Sequence, residues 1–177
     1  MKKNIVKIIM LGSLLTTNSF GDEISREGFI GSMGLGLGAV SSTLKGQNST
    51  DSVGSLINLK FGYGFTPNLV GYLGGSSQAI YDDNTLNSAG LGVEYYLEDS
   101  RHSPYVSLYV GEANENIKNS NGVSEYLDGS FGELWRVGVG YEYKQWFFQL
   151  DYMNANNKKI ENSGMMGTVG YNFHLFR

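Results

Sequence analysis

Five charged side chains stand almost alone on runs of small or uncharged residues: Lys60, Glu94, Arg136, Glu142 and Asp151. Lys60 lies between Asn58 and Gly62, Glu94 between Gly92 and Tyr96, and Arg136 between Leu134 and Gly138. Glu142 follows Gly140, and Asp151 lies between Gln149 and Met153. In each case the intervening positions are apolar or aromatic, so the charge sits on the other face of a period-two stretch. Charges of both signs brought to one enclosed face should pair, because an isolated buried charge is costly. Such a network either fills and fixes a core or gates a small ion or water path. Catalysis is the competing chemistry, and it needs an activated nucleophile or a placed base. The only histidines are His102 and His174. His102 adjoins Ser103 without an evident third partner, and His174 has no clustered neighbour, so no catalytic residue is assigned. Neither histidine has companions at metal-ligand spacing, and the chain has no cysteine, so no metal, cofactor, thiolate or disulfide is expected. The glycines from Gly34 to Gly38 are wrongly spaced for a nucleotide loop, and no amphipathic helix follows them.

The elements that carry these residues are strands. After a polar lead, Asp22 to Glu27, the first runs from Phe29 to Ala39, with Ile30, Ser32, Gly34, Gly36 and Gly38 on its second face. A polar loop over Ser41–Ser52 leads to the second strand, Val53 to Phe65. Its apolar face is Ile57, Leu59, Phe61, Tyr63 and Phe65. A tight turn at Thr66-Pro67-Asn68 precedes a third strand, Leu69 to Ala79, the least regular of the set. The loop Ile80–Asn87, a fourth strand Ser88–Leu97, a turn Glu98–Ser103 and a fifth strand from Pro104 to Gly111 follow. The longest loop is expected over Glu112–Ser130. The sixth strand is Phe131–Tyr143, the turn Lys144-Gln145, the seventh strand Trp146–Met153 and the last loop Asn154–Ser163. The eighth strand starts at Gly164.

Short and long connections therefore alternate, as an up-and-down barrel needs when it has short periplasmic turns and longer external loops. No apolar run approaches the 18 or more residues of a spanning helix, so any crossing must be made by strands. Aromatic residues gather at the short-turn ends (Phe29, Tyr63, Phe65, Tyr95, Tyr141, Tyr143, Trp146, Phe148, Phe173), and Trp135, Tyr152 and Phe131 lie near the other ends. Two such girdles suit two membrane interfaces. The small-residue faces carry too few charges for a solvated exterior, so the apolar faces are expected outside. The inverse arrangement, a soluble lipocalin-like ligand binder, is the alternative.

The N-terminus has the form of a secretory signal peptide. Lys2, Lys3 and Lys7 precede a short apolar core, Ile8 to Leu15, and small residues allow cleavage before Asp22. Residues 1–21 are thus expected to leave, and residues 22–177 to form one barrel domain. The mature chain keeps 10 basic and 17 acidic residues, net −7, which argues against nucleic-acid binding.

The final strand has Thr168, Gly170, Phe173 and Leu175 at the spacing of a bacterial outer-membrane C-terminal signal, followed by Phe176. On this strand, the signal peptide and the eight-strand pattern, the chain resembles the small eight-stranded outer-membrane barrels of Gram-negative bacteria, of the OmpA/OmpX-like and opacity-protein (porin-like) type. The resemblance implies an all-β, antiparallel, up-and-down transmembrane barrel in the outer membrane. It also implies outer-membrane lipid and the barrel-assembly machinery as partners, with strand eight as the recognised segment, and a Lys/Arg–Glu/Asp network plugging the barrel. A monomer with a structural or cell-surface interaction role is expected, contacting a host or surface ligand through loops 41–52 and 112–130. At most a narrow, charge-gated conductance is expected. Some barrels of this size modify lipid, but no deacylase-like His-x-Ser-Asn motif is present.

Overall fold

The computed structural model of the chain describes residues 25–44, 49–79, 85–118, 124–126, 132–156 and 160–176. The signal segment and Phe131 lie outside the described residues. Among the described residues there are nine strands: β1 (Gly28–Leu44), β2 (Ser49–Thr66), β3 (Leu69–Ala79), β4 (Thr85–Tyr96), β5 (His102–Lys118), β6 (Ser124–Tyr126), β7 (Gly132–Tyr143), β8 (Trp146–Asn156) and β9 (Ile160–Phe176). Eight of them form a closed antiparallel barrel, each pairing with its chain neighbour, and β1 closes the ring on β9. The three-residue β6 folds back onto the tip of β5. The eight barrel strands alternate between an exposed and a buried face, as the period-two pattern requires.

Following one row of partners around the ring gives the stagger. The row runs from Phe61 through Leu73, Leu91, Val110, Trp135, Asn154, Ser163 and Ser41 to Asp51. It returns to β2 ten residues from where it began. Eight strands with a stagger of ten lean about 40° from the barrel axis. The 11- and 12-residue strands β3, β4, β7 and β8 then rise about 30 Å, close to the thickness of a bilayer core. The 17- and 18-residue strands β1, β2, β5 and β9 rise about 43 Å and must project beyond it.

The long connections are therefore shorter than the sequence suggests. Ser41–Leu44 and Ser49–Ser52 pair within β1 and β2, Glu112–Lys118 continues β5, and Asn154–Asn156 pairs with Glu161–Ser163. Thr85–Asn87, expected in a loop, begins β4. The reason is that ladder hydrogen bonds are made by backbone groups, so polar residues keep pairing once the barrel has set their register. Hydrophobic alternation marks only the membrane-facing part of a strand. The short turns fall at Pro67-Asn68 and Lys144-Gln145, where Lys144 takes a left-handed φ of 60°.

The apolar faces point outward. Phe29, Leu35, Leu37, Ile57, Phe61, Leu73, Leu91, Val110, Val139 and Leu150 are among an unbroken exposed belt, and the belt carries no charge between the turns and the strand tips. This overturns the lipocalin-like arrangement: a soluble barrel cannot present such a surface to water. Trp135 and Tyr152 meet as tilted rings at one rim, and Phe29, Tyr63, Phe65, Trp146 and Tyr171 make ring contacts at the other. Asp51, Glu112, Glu133 and Glu161 are exposed above the belt, at the tips of the strands.

Inside, glycines make room for rings. A Cβ on Gly140 would run into the Tyr105 ring, and one on Gly92 into Tyr72. Outward-facing Gly167 has nothing within 4 Å of its Cβ position. Gly140→Val should therefore weaken or abolish the closed barrel, costing about 1–3 kcal/mol or more from overpacking, whereas Gly167→Val should leave it intact. The check is gel mobility of unheated against boiled protein: only Gly140→Val should lose the heat-dependent shift.

Candidate functional site

The lumen is filled with side chains in tiers. The tier nearest the short turns is built on Glu142, which β7 points inward. Its carboxylate accepts from Arg26 Nε at 3.2 Å, Arg101 Nη1 at 3.1 Å and Asn172 Nδ2 at 3.3 Å. Arg26 comes from the segment just before β1 and folds into the barrel mouth. Its guanidinium lies 3.8 Å over the Tyr96 ring and donates to the carbonyls of Pro67 (2.9 Å), Glu98 (3.1 Å) and Ser100. One side chain thus satisfies carbonyls from two different turns. Arg101 also reaches His174 Nε2 at 2.8 Å.

The second tier is the Lys60–Glu94 pair. Lys60 Nζ donates to Glu94 Oε1 at 2.5 Å and to Gln149 Oε1 at 2.7 Å. Tyr96 donates to the other Glu94 oxygen at 2.9 Å, and Tyr105 to Gln149 at 3.1 Å. Both ions are about 6 % exposed. Asp151 lies alongside and accepts from Gln149 Nε2 at 2.7 Å and Ser107 Oγ at 3.3 Å.

The third tier is aromatic and cationic. Tyr72 and Tyr109 stack with centroids 6.2 Å apart, and Arg136 lies 3.9 Å over the Tyr109 ring. Arg136 reaches the hydroxyls of Ser76 and Ser88 at 3.4 Å each. Above it the lumen turns apolar: Val40, Leu56, Leu86, Ala113, Leu134, Met153, Ala155 and Met166 are all buried together. Gln78, Ser52 and Asn162 are buried polar residues beside that layer.

All five charges singled out from the sequence are buried in the lumen. Their pairing is not the one their chain positions suggest. Lys60 meets Glu94, but Glu142 is held by Arg26 and Arg101, and neither Asp151 nor Arg136 forms an ion pair among the described residues. Arg26 and Arg101 lie in a lead and a turn with no periodicity, so no pattern marks them as inward. Tyr72, Tyr96, Tyr105 and Tyr109 also point into the lumen, where they partner these charges. His102 stacks on Tyr143 with centroids 4.6 Å apart at an exposed turn end, and His174 belongs to the Arg101 cluster. Thr168 and Gly170 of the last strand face inward, and Phe173 is half-buried.

An apolar belt around a polar, side-chain-filled lumen of eight strands is the arrangement of a small barrel that spans an outer membrane. The solved structures agree on the fold. The chain is similar to Neisserial surface protein A, NspA (TM-score 0.62, 16% identity, 84% of this chain and 98% of that one). It is also similar to Ail, the attachment invasion locus protein of Yersinia pestis (0.56, 16%, 83% and 99%), and to the outer-membrane enzyme PagL (0.50, 15%, 77% and 97%). No protein-family description matches the sequence, and no curated protein matches it. A shared fold at such identities leaves function to be argued from the site.

Lys60→Met should strand Glu94 as an unpaired buried charge and cost about 3–5 kcal/mol. The double variant Lys60→Met/Glu94→Gln should regain most of that loss. Urea unfolding in detergent micelles measures both; equal stability of the single variant and the unaltered protein would show the pair to be dispensable.

Proposed function

We propose that this is an outer-membrane barrel with a closed lumen, whose work is done on its outer surface as a structural or cell-surface contact protein. The observation that carries the reading is the sealed interior. An ionic tier, a lysine–glutamate tier and an aromatic tier lie beneath a mostly apolar layer, and together these side chains fill the bore. The narrow charge-gated path expected from the charges alone is therefore set aside. Meanwhile β1, β2, β5 and β9 rise past the belt and display polar, acidic tips. Residues of the expected loops 41–52 and 112–130 supply those tips, with 45–48, 119–123 and 127–131 lying outside the described residues.

An enzymatic role has less support. Among the described residues neither histidine stands at the upper rim, where hydrolysis of a surface lipid would need a base. The similarity to PagL is one of fold.

In a planar bilayer the purified protein should give no steady conductance; stable channel events would overturn the sealed reading. Replacing residues 119–131 with a short Gly/Ser linker should leave the heat-dependent gel shift intact and reduce attachment of expressing bacteria to host cells or matrix. Unchanged attachment would remove the surface-contact role. Release of fatty acid from lipopolysaccharide by the purified barrel would replace the whole reading with an enzymatic one.

A further inference from the structure

The segment Ser25–Glu27 enters the periplasmic mouth from outside the strand ladder, which begins at Gly28. Two glycines make the entry possible. Gly28 takes a left-handed φ of 98°, which turns the lead towards the bore. Gly64 has no Cβ, and one placed there would collide with the Arg26 carbonyl oxygen. Arg26 then spans the mouth, touching the turns at Pro67 and at Glu98 and Ser100, the face of Tyr96, and Glu142. Among the described residues, the hydrogen bonds that hold the segment in the mouth come from this side chain, with one more of 3.4 Å from Arg101 Nη2 to the Ser25 carbonyl. The segment can therefore leave without breaking the pairing of β1 with β2 or β9.

The charges that seat it are unequal. Glu142 serves two guanidiniums, Arg26 through Oε2 and Arg101 through Oε1. The other described groups around it bring no free negative charge. Asn172 and His174 come from β9, Tyr96 from β4 and Tyr105 from β5, while Lys144 follows on its own turn and is exposed. Glu94, beyond Tyr96, is matched by Lys60. His174 accepts from Arg101, so the imidazole is neutral in this arrangement, and a proton there would add a third cation. Protonation of Glu142 would leave two guanidiniums facing no anion in a nearly dry mouth, a costly state. Arg101 is fixed in its turn, where its carbonyl accepts from Lys144 N at 2.8 Å, and its side chain is already 16 % exposed. Arg26 is 2 % exposed, so it has the most hydration to regain, and it lies on the segment outside the ladder.

We infer that Ser25–Glu27 is an acid-released strap across the periplasmic mouth. With Glu142 ionised, Arg26 is seated and the mouth is closed. When Glu142 takes up a proton, the strap withdraws and the ring stays closed. The apolar layer above remains in place, so the opened mouth is a blind vestibule ending on the Lys60–Glu94 tier.

The chain has no cysteine, so Ser25→Cys and Asp99→Cys in the full mature protein carry one nitroxide label each. Pulsed electron resonance then reads the distance between the lead and the opposite turn. A narrow distribution at about pH 7.5 should become broad at about pH 4, reversibly, while the heat-dependent gel shift is kept. Glu142→Gln should be broad at both pH values, as should Arg26→Met. A narrow distribution in Glu142→Gln at neutral pH overturns the inference. So does an acid response that vanishes in His174→Gln, which would place the trigger on the imidazole. Should Glu142→Gln fail to fold, the acid series on the labelled parent decides: broadening that begins only as the gel shift is lost reports unfolding of the barrel and overturns the strap.

Discussion

Closure of a narrow ring governs this molecule. Once β1 pairs with β9 at a stagger of ten, no strand of the barrel has a free edge within the bilayer, and the backbone is satisfied without water. The same closure leaves a lumen only wide enough for side chains. Every inward residue must then fit those opposite it. Glycine beside an aromatic ring is the recurring solution: Gly92 under Tyr72, Gly140 under Tyr105, and Gly170 against Phe147. Glycine is a poor strand residue in an open sheet, but here it provides the volume that a large ring occupies.

The filled lumen sets the electrostatics. The lumen has little room for water, so charges are tolerated only where partners converge, and each tier solves this differently. Glu142 is surrounded by two guanidiniums at the wet end. Glu94 and Lys60 neutralise each other and are fixed by Tyr96 and Gln149. Arg136 is held instead by a tyrosine face and two hydroxyls, which bind a cation more weakly than a carboxylate does. The position of that weakly matched cation, directly below an apolar layer, makes the upper lumen the chemically unusual part of the barrel. The proposed role at the surface rests on the same geometry: with the interior occupied, the belt and the raised strand tips are what remain to meet other molecules.

Some of this was legible in the chain and some was not. Alternation of Ile57, Leu59, Phe61 and Tyr63 with Asn58, Lys60 and Gly62 assigns both faces of β2, and the scarcity of charges on the second face says which one is enclosed. The third strand, the least regular in pattern, has the bounds Leu69–Ala79 read from sequence, because Pro67-Asn68 and the polar run after Ala79 mark its ends. Strand tips were missed where both faces turn polar, as at Ser41–Leu44 and Glu112–Lys118. Side-chain pattern reports the solvent a strand meets, while pairing is made by the backbone.

The sequence by itself determined that strands cross the membrane, how many there are, which residues of the regular strands face inward and which charges on those strands are enclosed. Each of these follows from local parity, turn chemistry and the cost of exposing apolar or burying polar groups. Only the tertiary structure decided who meets whom. Ring closure and stagger bring Lys60 to Glu94 and Gln149 across the lumen, draw Arg26 in from an unpatterned lead onto Glu142, and leave Gln78 and Arg136 on one small cavity. Contacts across a barrel depend on the displacement accumulated over all eight strands, and no local stretch of sequence encodes that sum.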